Sequence, residues 1–388
     1  MKHGCHICLV SAQPVPNLTP LIDQRLGARR ALLLVTPDME ERAAWLRSVL
    51  RPRGVSTENW AVRDPWDFAH IQTRVLELLE HEQEAVMAGD MALNATGGTK
   101  LMSIAAYEAC RAYGIPIYYV HPLADRLVWL QPEDRPDHPL AERLGIEEFL
   151  QAHGAEVEGE PRRNVPNRAD LELGAQLVDR ISYWGAALGR LNWLAGQAKP
   201  PGYLVTGIGG DEALEELIDL FATHGCLQRQ GANGIRFEGE EGRFFANGGW
   251  FEVYVFDRVR RLRRQDPHIR DVAYGVRVLR RQRDRRIPNE LDVVVLRDNR
   301  LHIIECKTRR FQGTGEDSPG AEALYRLDAL RDLMGGLQAR AMLVSFRDLA
   351  GHDRTRAADL QILVCAGEQV SRIDEYLCRL LGMDVTGL

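Results

Sequence analysis

Over the first 122 residues short apolar runs alternate with amphipathic stretches, and that switch of period constrains the fold more than any other feature. Residues 6–10 and 31–35, the latter Ala-Leu-Leu-Leu-Val, read as buried strands. Residues 18–27 and 40–51 read as helices, the second with Ala43, Leu46, Val49 and Leu50 on one face. A strand at 59–62, a helix over 66–81, a strand at 91–93, a helix over 99–112 and a strand at 115–120 continue the series. Such alternation with short links makes βαβ units and a parallel sheet with helices on its faces.

Residues 122–168 are rich in Pro, Asp and Glu and predict an edge hairpin followed by a linker. A long helical pattern covers 170–197 and another 211–223; two short strands, 226–230 and 235–238, flank Gly231-Ala-Asn-Gly234. Helix plus hairpin suggests a winged-helix-like connector. From Gly248 a mixed α/β pattern follows: a helix over 249–264, strands at 271–279, 290–296 and 301–307, a helix over 322–334, a strand at 339–345 and a last helix near 366–381. The expected organisation is therefore three domains, 1–150, 151–240 and 241–388.

Charge follows that division. Residues 1–150 carry 15 Lys+Arg against 20 Asp+Glu, residues 151–240 carry 8 against 13, and residues 241–388 carry 26 against 22. An acidic start and a basic end point to a polyanionic partner for the last part, or to a solvated basic face. The seven cysteines are an odd, scattered set, which fits free thiols and a cytoplasmic location. No apolar run reaches the length of a membrane span and the N-terminus has no signal layout, so neither membrane insertion nor secretion is expected. Cys5-His-Ile-Cys8 has ligand-like spacing but no second pair accompanies it, so it reads as the start of the first strand.

The strongest chemical signal runs from Asn289 to Lys307. Asp298-Asn299, between two β-branched runs, predicts a two-residue hairpin turn, since both residues tolerate positive φ. The turn fixes the register: Asp292 falls opposite Glu305 and Glu290 opposite Lys307, with all four side chains on one face. Facing carboxylates repel. A divalent cation between them removes that cost, and hard oxygen ligands on neighbouring strands suit Mg²⁺ or Mn²⁺. Lys307 would then orient a nucleophile or stabilise a developing anion. Upstream, residues 258–286 hold twelve arginines and three acids. Arg280, Arg281, Arg283, Arg285 and Arg286 lead into the hairpin as candidate contacts to nucleic-acid phosphates. Only four lysines occur among 49 basic residues, Lys2, Lys100, Lys199 and Lys307, so Lys307 stands out in a chain that otherwise writes Arg.

A second motif, Asn94-Ala-Thr-Gly-Gly-Thr-Lys100, sits between a strand and a helix. Its glycines allow close backbone approach, and amides at a helix N-terminus can hold phosphate. It fits neither a Walker A loop nor a GxGxxG fingerprint. Ser11-Ala-Gln-Pro-Val-Pro-Asn17 ends the first strand and would lie beside it at the carboxyl edge of the sheet.

Asp292 with Glu305-Cys-Lys307 resembles the PD-(D/E)XK, restriction-endonuclease-like nucleases, with Glu-Leu-Asp where many members have Pro-Asp. That resemblance implies a third acidic group on the preceding helix, here Glu252, and catalytic and metal roles for Asp292, Glu305 and Glu252, with Lys307 and Glu290 in the same site. The glycine loop and the Ser11 loop together are similar to the CARF domains of CRISPR-associated proteins. This implies a cyclic oligoadenylate held by Ser11, Gln13, Asn17, Thr36, Asn94, Thr96, Gly97, Gly98, Thr99 and Lys100. The order of the two resembles the CRISPR ancillary nucleases activated by cyclic tetra-adenylate. It implies a homodimer that cleaves RNA or DNA in type III antiviral defence. A different reading is a ligand-controlled transcriptional regulator with residues 170–240 as DNA reader and a degenerate nuclease domain. The complete Asp–Glu–Lys set speaks against it. A third is a sensor that destroys its own activator, although neither loop carries a His or carboxylate to act as base.

Overall fold

The computed structural model of the protein describes residues 2–121, 124–140, 144–165, 167–209, 211–231, 233–282, 285–309 and 319–384. The chain forms two compact units, Met1–Glu156 with Arg280–Ile287, and Val157–Leu279 with Pro288–Leu388.

The first unit contains β1 (Cys5–Leu9), α1 (Val15–Ile22), β2 (Arg30–Val35), α2 (Glu40–Leu50), β3 (Ser56–Ala61), α3 (Phe68–His81), α4 (Gln83–Met87), β4 (Met91–Asn94), α5 (Lys100–Ala112), β5 (Ile117–His121), β6 (Arg126–Gln131), β7 (His138–Pro139) and α6 (Ile146–Ala152). The seven-stranded sheet has the order β3-β2-β1-β4-β5-β6-β7, parallel up to β5 and antiparallel beyond it. The expected parallel sheet with an edge hairpin is thus present. The chain moves outward from β1 to β3 and then returns to β4 on the other side of β1, so the switch point of the topology lies between β1 and β4. Helix α1 begins inside the Pro-rich stretch 13–17, ahead of the start at residue 18 expected from the sequence. Pro14 supplies its N-cap and Pro16 lies in its first turn, where a missing N–H costs nothing. Cys5 and Cys8 are buried within β1 as free thiols.

The second unit holds β8 (Ala155–Val157), α7 (Arg168–Asp179), α8 (Ile181–Gln197), β9 (Leu204–Thr206), α9 (Glu212–Thr223), β10 (Leu227–Arg229), β11 (Gly234–Phe237) and α10 (Gly239–Phe244). It continues with α11 (Trp250–Gln265), β12 (Ile269–Gln282), β13 (Arg285–Arg297), β14 (Arg300–Lys307), α12 (Pro319–Gly335), β15 (Arg340–Ser345), α13 (Gly351–Asp359), β16 (Leu363–Ala366) and α14 (Ile373–Leu381). The first two residues of β8 and the parts of β12 and β13 within 280–287 fall to the first unit. The helical pattern over 170–197 is two helices, broken at Arg180, whose φ of −113° and ψ of 38° leave the helical region. The hairpin β10–β11 gains a third strand, β9. Before the last helix stands a strand that the sequence pattern did not mark, β16, which pairs in parallel with β15. One apolar core runs continuously from Leu173 to Leu381, so the elements of 168–238 pack on the same core as the central sheet. In that sheet β14 has β13 antiparallel on one side and β15 parallel on the other.

Candidate active site and ligand loops

Asp298 and Asn299 adopt φ of 48° and 55°, the left-handed pair of a tight hairpin turn. Pairing runs from Arg297↔Arg300 to Val293↔Ile304, the register expected from the turn. Val293, Val295 and Ile304 enter the core, while Asp292 and Glu305 are the next residues beyond the last of these pairs. Both are buried, at 8% and 2% exposure. Lys307 Nζ lies 2.5 Å from Glu305 Oε1 and 3.6 Å from Asp292 Oδ2. The Cys306 N–H donates to Asp292 Oδ2 at 2.7 Å, while the Cys306 side chain turns into the core.

Glu252, half-buried in the first turn of α11, completes an acidic group. Burial, Asp292 and Glu290 push its carboxyl well above the usual carboxylate range, with Lys307 opposing and Glu305 adding to the rise. Burial and Glu305 likewise push Asp292 up, against Lys307 and the Cys306 N–H. For Lys307, burial pulls the ammonium down, but Asp292 and Glu305 outweigh it and the net shift is upward. Glu290 is exposed and makes no ion pair with Lys307 among the described residues; its charge reaches the site only as a field on Glu252 and Asp292. No group of three or more Asp, Glu, His or Cys side chains converges at metal-holding geometry among the described residues. Glu305 Oε2 nonetheless is buried without a hydrogen-bond partner. A buried, unsatisfied carboxylate oxygen beside a second carboxylate with a raised pKa is a donor set short of positive charge, and it fits a hard divalent cation.

Two features beside the hairpin were not singled out in the sequence. Thr308, directly after Lys307, is buried and accepts a 2.9 Å hydrogen bond from Asn192 Nδ2 of α8. Gly248, at φ 121°, leads into α11 where a Cβ would stand 2.7 Å from Thr308 Oγ1. A side chain there would separate the Glu252 helix from the end of β14.

The arginine run is not one surface. Arg258 pairs with Asp374, and Arg260 and Arg261 with Asp257, so these hold α11 together and tie it to α14. Arg280 is half-buried, Arg285 and Arg286 are exposed, Arg281 lies within β12, and Arg283 falls outside the described residues. Arg286 precedes Asp292 by six residues on β13.

In the first unit Cys8 of β1 pairs with Asn94 of β4, so the loops that follow these strands lie side by side at the switch point. Several candidate ligand residues are occupied in clamping the two loops. Asn17 Nδ2 donates to the Leu9 carbonyl at 2.8 Å, and Asn94 Nδ2 donates to Pro16 O and Asn17 Oδ1. Asn94 Oδ1 in turn accepts from the Thr96 N–H and hydroxyl. Thr99 Oγ1 caps α5 by accepting from the Met102 N–H, and Thr36 donates to Asp38. Ser11 Oγ closes a small turn with the Gln13 backbone. What remains for a ligand is backbone, the half-buried Gln13 side-chain amide and a cation. The amides of Gly97, Gly98 and Thr99 have no acceptor among the described residues, and Lys100 is exposed at the N-terminus of α5. Arg42, which sequence patterning did not mark, donates to the Ala12 carbonyl in the neighbouring loop.

Open amides at the switch point of a Rossmann-like sheet, in one chain with a carboxylate–lysine hairpin, form the arrangement expected of a nuclease coupled to a nucleotide sensor. Residues 5–149 match the family model of the Card1 CARF domain, and residues 239–381 match the Card1-like endonuclease domain. The chain belongs to this family of CARF-linked endonucleases. Protein VC1899 from Vibrio cholerae is 31% identical over 97% of this chain and 98% of its own, with a TM-score of 0.87. Can2 from Sulfobacillus thermosulfidooxidans, solved in complex with cyclic tetra-adenylate, is 28% identical over 98% of this chain and 99% of its own, with a TM-score of 0.80. A type III CRISPR defence DNA nuclease activated by cyclic oligoadenylate shares the fold at 21% identity and a TM-score of 0.58, over 90% of this chain and 46% of its own. No curated protein sequence matches the chain. No helix among the described residues is long and apolar enough to cross a membrane.

Proposed function

We propose that the protein is a cyclic-oligoadenylate-activated, Mg²⁺- or Mn²⁺-dependent nuclease of type III CRISPR defence, acting in the cytoplasm as a homodimer on RNA or DNA. The carrying observation is the buried Asp292–Glu305–Lys307 group, with its orphaned Glu305 oxygen. Asp292 and Glu305, with Glu252 behind them, would hold the cation, which when bound supplies Lewis-acid stabilisation of the phosphodiester and a more acidic water. The chain's own part is positional. The Cys306 N–H fixes Asp292, the hairpin register fixes Glu305 opposite it, and the Lys307 ammonium stands where negative charge develops on the phosphate oxygens. Metal-dependent cleavage of labelled RNA and DNA, with and without cyclic tetra-adenylate, tests the proposal. Activity indifferent to the activator would remove the sensor role.

The activator reading is supported by the unsatisfied amides of Gly97, Gly98 and Thr99, which suit phosphate, and by the Can2 complex. Lys100→Ala is expected to weaken cyclic tetra-adenylate binding by roughly tenfold, the loss of one charged hydrogen bond, with the melting temperature unchanged. Undiminished calorimetric affinity would place Lys100 outside the site. For the homodimer, Ile104 and Tyr119 beside the glycine loop offer exposed apolar surface to a second copy. For the substrate, Arg285 and Arg286 offer exposed cations on the strand that carries Asp292. Their reversal to Glu should weaken nucleic-acid binding on any sequence and flatten its salt dependence by roughly one log unit for each phosphate left unneutralised. An unchanged slope in fluorescence anisotropy would leave them as a solvated face.

A further inference from the structure

We propose that a cavity at the carboxyl ends of β14, β15 and β16, beside Lys307, is a subsite for the phosphodiester backbone of the substrate strand, with Arg347 as its phosphate-binding residue. The proposal rests on the nuclease reading above and adds a binding residue to it.

Position comes first. In the parallel ladder Lys307 pairs with Ser345, and Ser345 pairs with Ala366, so the three strands end at one level. The Phe346 N–H donates to the Lys307 carbonyl at 2.8 Å, which ties the start of the next loop to the active-site strand. That loop and the turn after β16 enclose, with the first turn of α8, a cavity of about 540 Å³ lined by Phe346, Arg347, Arg354, Ser182, Gly367 and Gln369 among others. Strand spacing places it within roughly 10 Å of β14, the reach of a strand a nucleotide or two from the bond being cut.

Charge comes second. Two acids line the cavity, and each is engaged by a neighbour on its wall. Asp348 Oδ1 accepts from Arg354 Nη2 at 2.9 Å, and Glu368 Oε1 accepts from Ser182 Oγ at 3.0 Å. Arg347, half-buried, makes no ion pair and no side-chain hydrogen bond among the described residues. An arginine that folding has partly desolvated and left without an acid is a ready partner for phosphate, which its planar fork can grip with two parallel hydrogen bonds.

The third observation shows that its place is built. Gly185 lies in the interior of α8, and a Cβ there would stand 1.9 Å from Arg347 Nη1. Glycine weakens a helix interior relative to alanine. The notch at Gly185 admits the guanidinium against the helix, so α8 gives up propensity where Arg347 packs on it.

The test uses the full chain with cyclic tetra-adenylate and a labelled single-stranded oligonucleotide, as DNA and as RNA. Binding is followed by anisotropy over a salt series in the cleavage-silent Asp292→Asn background, and KM and kcat in the active protein. Arg347→Ala should raise KM roughly tenfold and flatten the salt slope by about 0.7, the share of one single-strand phosphate, with a smaller change in kcat. Arg347→Lys should recover the slope but only part of the KM. Gly185→Ala, a better helix former, should reproduce the loss by displacing the guanidinium, and the Gly185→Ala/Arg347→Ala double variant should be no worse than Arg347→Ala alone. If Gly185→Ala does not fold, the two Arg347 variants decide the matter. Wild-type KM and slope in Arg347→Ala, with the active protein still cleaving, would overturn the subsite and leave the nuclease reading standing. Failure of the wild type to cleave any nucleic acid would overturn the nuclease reading and the subsite with it.

Discussion

Asp292→Asn should abolish cleavage and, in the metal-free protein, raise the melting temperature at neutral pH. The first effect follows from removing one of two buried carboxylates that share a site, a change on the order of 10⁴-fold for a residue at the chemical centre. The second follows from the electrostatics of the apo site. Asp292 and Glu252 carry pKa values raised by burial and by neighbouring acids, so the folded chain holds their protons more tightly than the unfolded chain does. Their contribution to stability is present in full below the ordinary carboxylate pKa of about 4 and is lost as pH rises through the raised folded values. At pH 7 the wild type therefore carries a penalty that an uncharged Asn at 292 lacks. The Asn oxygen can still accept the Cys306 N–H. Each kcal/mol recovered moves the midpoint by roughly 2–4 °C for a unit of this size. Calorimetric melts in EDTA from pH 4 to 8 should show the wild-type and Asp292→Asn curves diverging as pH rises. Parallel curves would mean that Asp292 is not strained by charge. Glu305→Gln should be equally inactive but gains less, since Glu305 Oε1 already has the Lys307 ammonium at 2.5 Å. Lys307→Ala should lose the chemical step, retain Mn²⁺ binding and melt lower without metal, because it leaves the carboxylates uncompensated. Persistent cleavage by Glu305→Gln with saturating activator and Mn²⁺ would move the active site away from the hairpin.

The hairpin was legible because its information is local. Asp298-Asn299 permits one turn geometry, the turn permits one register, and the register brings Asp292 to Glu305. The parallel sheet was legible for the same reason, each βαβ unit declaring its own period. Long-range partners carry no such signal. Arg258 and Asp374 are 116 residues apart, so the arginine run read as one basic surface although three of its members are spent on acids of α11 and α14. Gly185 and Arg347 meet only in the folded chain; nothing near either residue marks the encounter. In the ligand loops the sequence marked polar residues without resolving what each one does. Asn17, Asn94 and Thr96 are polar and adjacent to the switch point, yet their hydrogen bonds hold loop to loop. A side chain that clamps a cradle and one that lines it look alike in sequence. Strand β16 was hidden by brevity, four residues between two helical patterns.

Gly97→Ala should all but eliminate cyclic tetra-adenylate binding while leaving the sheet folded, a larger effect than Lys100→Ala. The reason is steric, not conformational: Gly97 has no positive φ, but a Cβ on it would stand 2.0 Å from the Leu9 carbonyl oxygen. That oxygen is backbone at the end of β1 and already accepts from Asn17 Nδ2 at 2.8 Å. It cannot retreat without breaking the bond that holds Asn17, the residue whose Oδ1 accepts from Asn94 of the second loop. An added methyl must therefore lift the glycine loop off β1, turning away the amides of Gly97, Gly98 and Thr99 together, where Lys100→Ala removes one cation and leaves them in place. Loss of two or three charge-assisted hydrogen bonds corresponds to roughly 10²–10⁴-fold in affinity. Activator binding and activation are linked through a common pair of states, so the variant should need proportionally more cyclic tetra-adenylate to reach half-maximal cleavage, with the metal site unaffected. Titration of cleavage against activator, alongside calorimetric binding and a circular-dichroism melt, separates the possibilities. A variant that melts like wild type and binds the activator with wild-type affinity would mean that the loop at the switch point is scaffold and that the ligand sits elsewhere on the first unit.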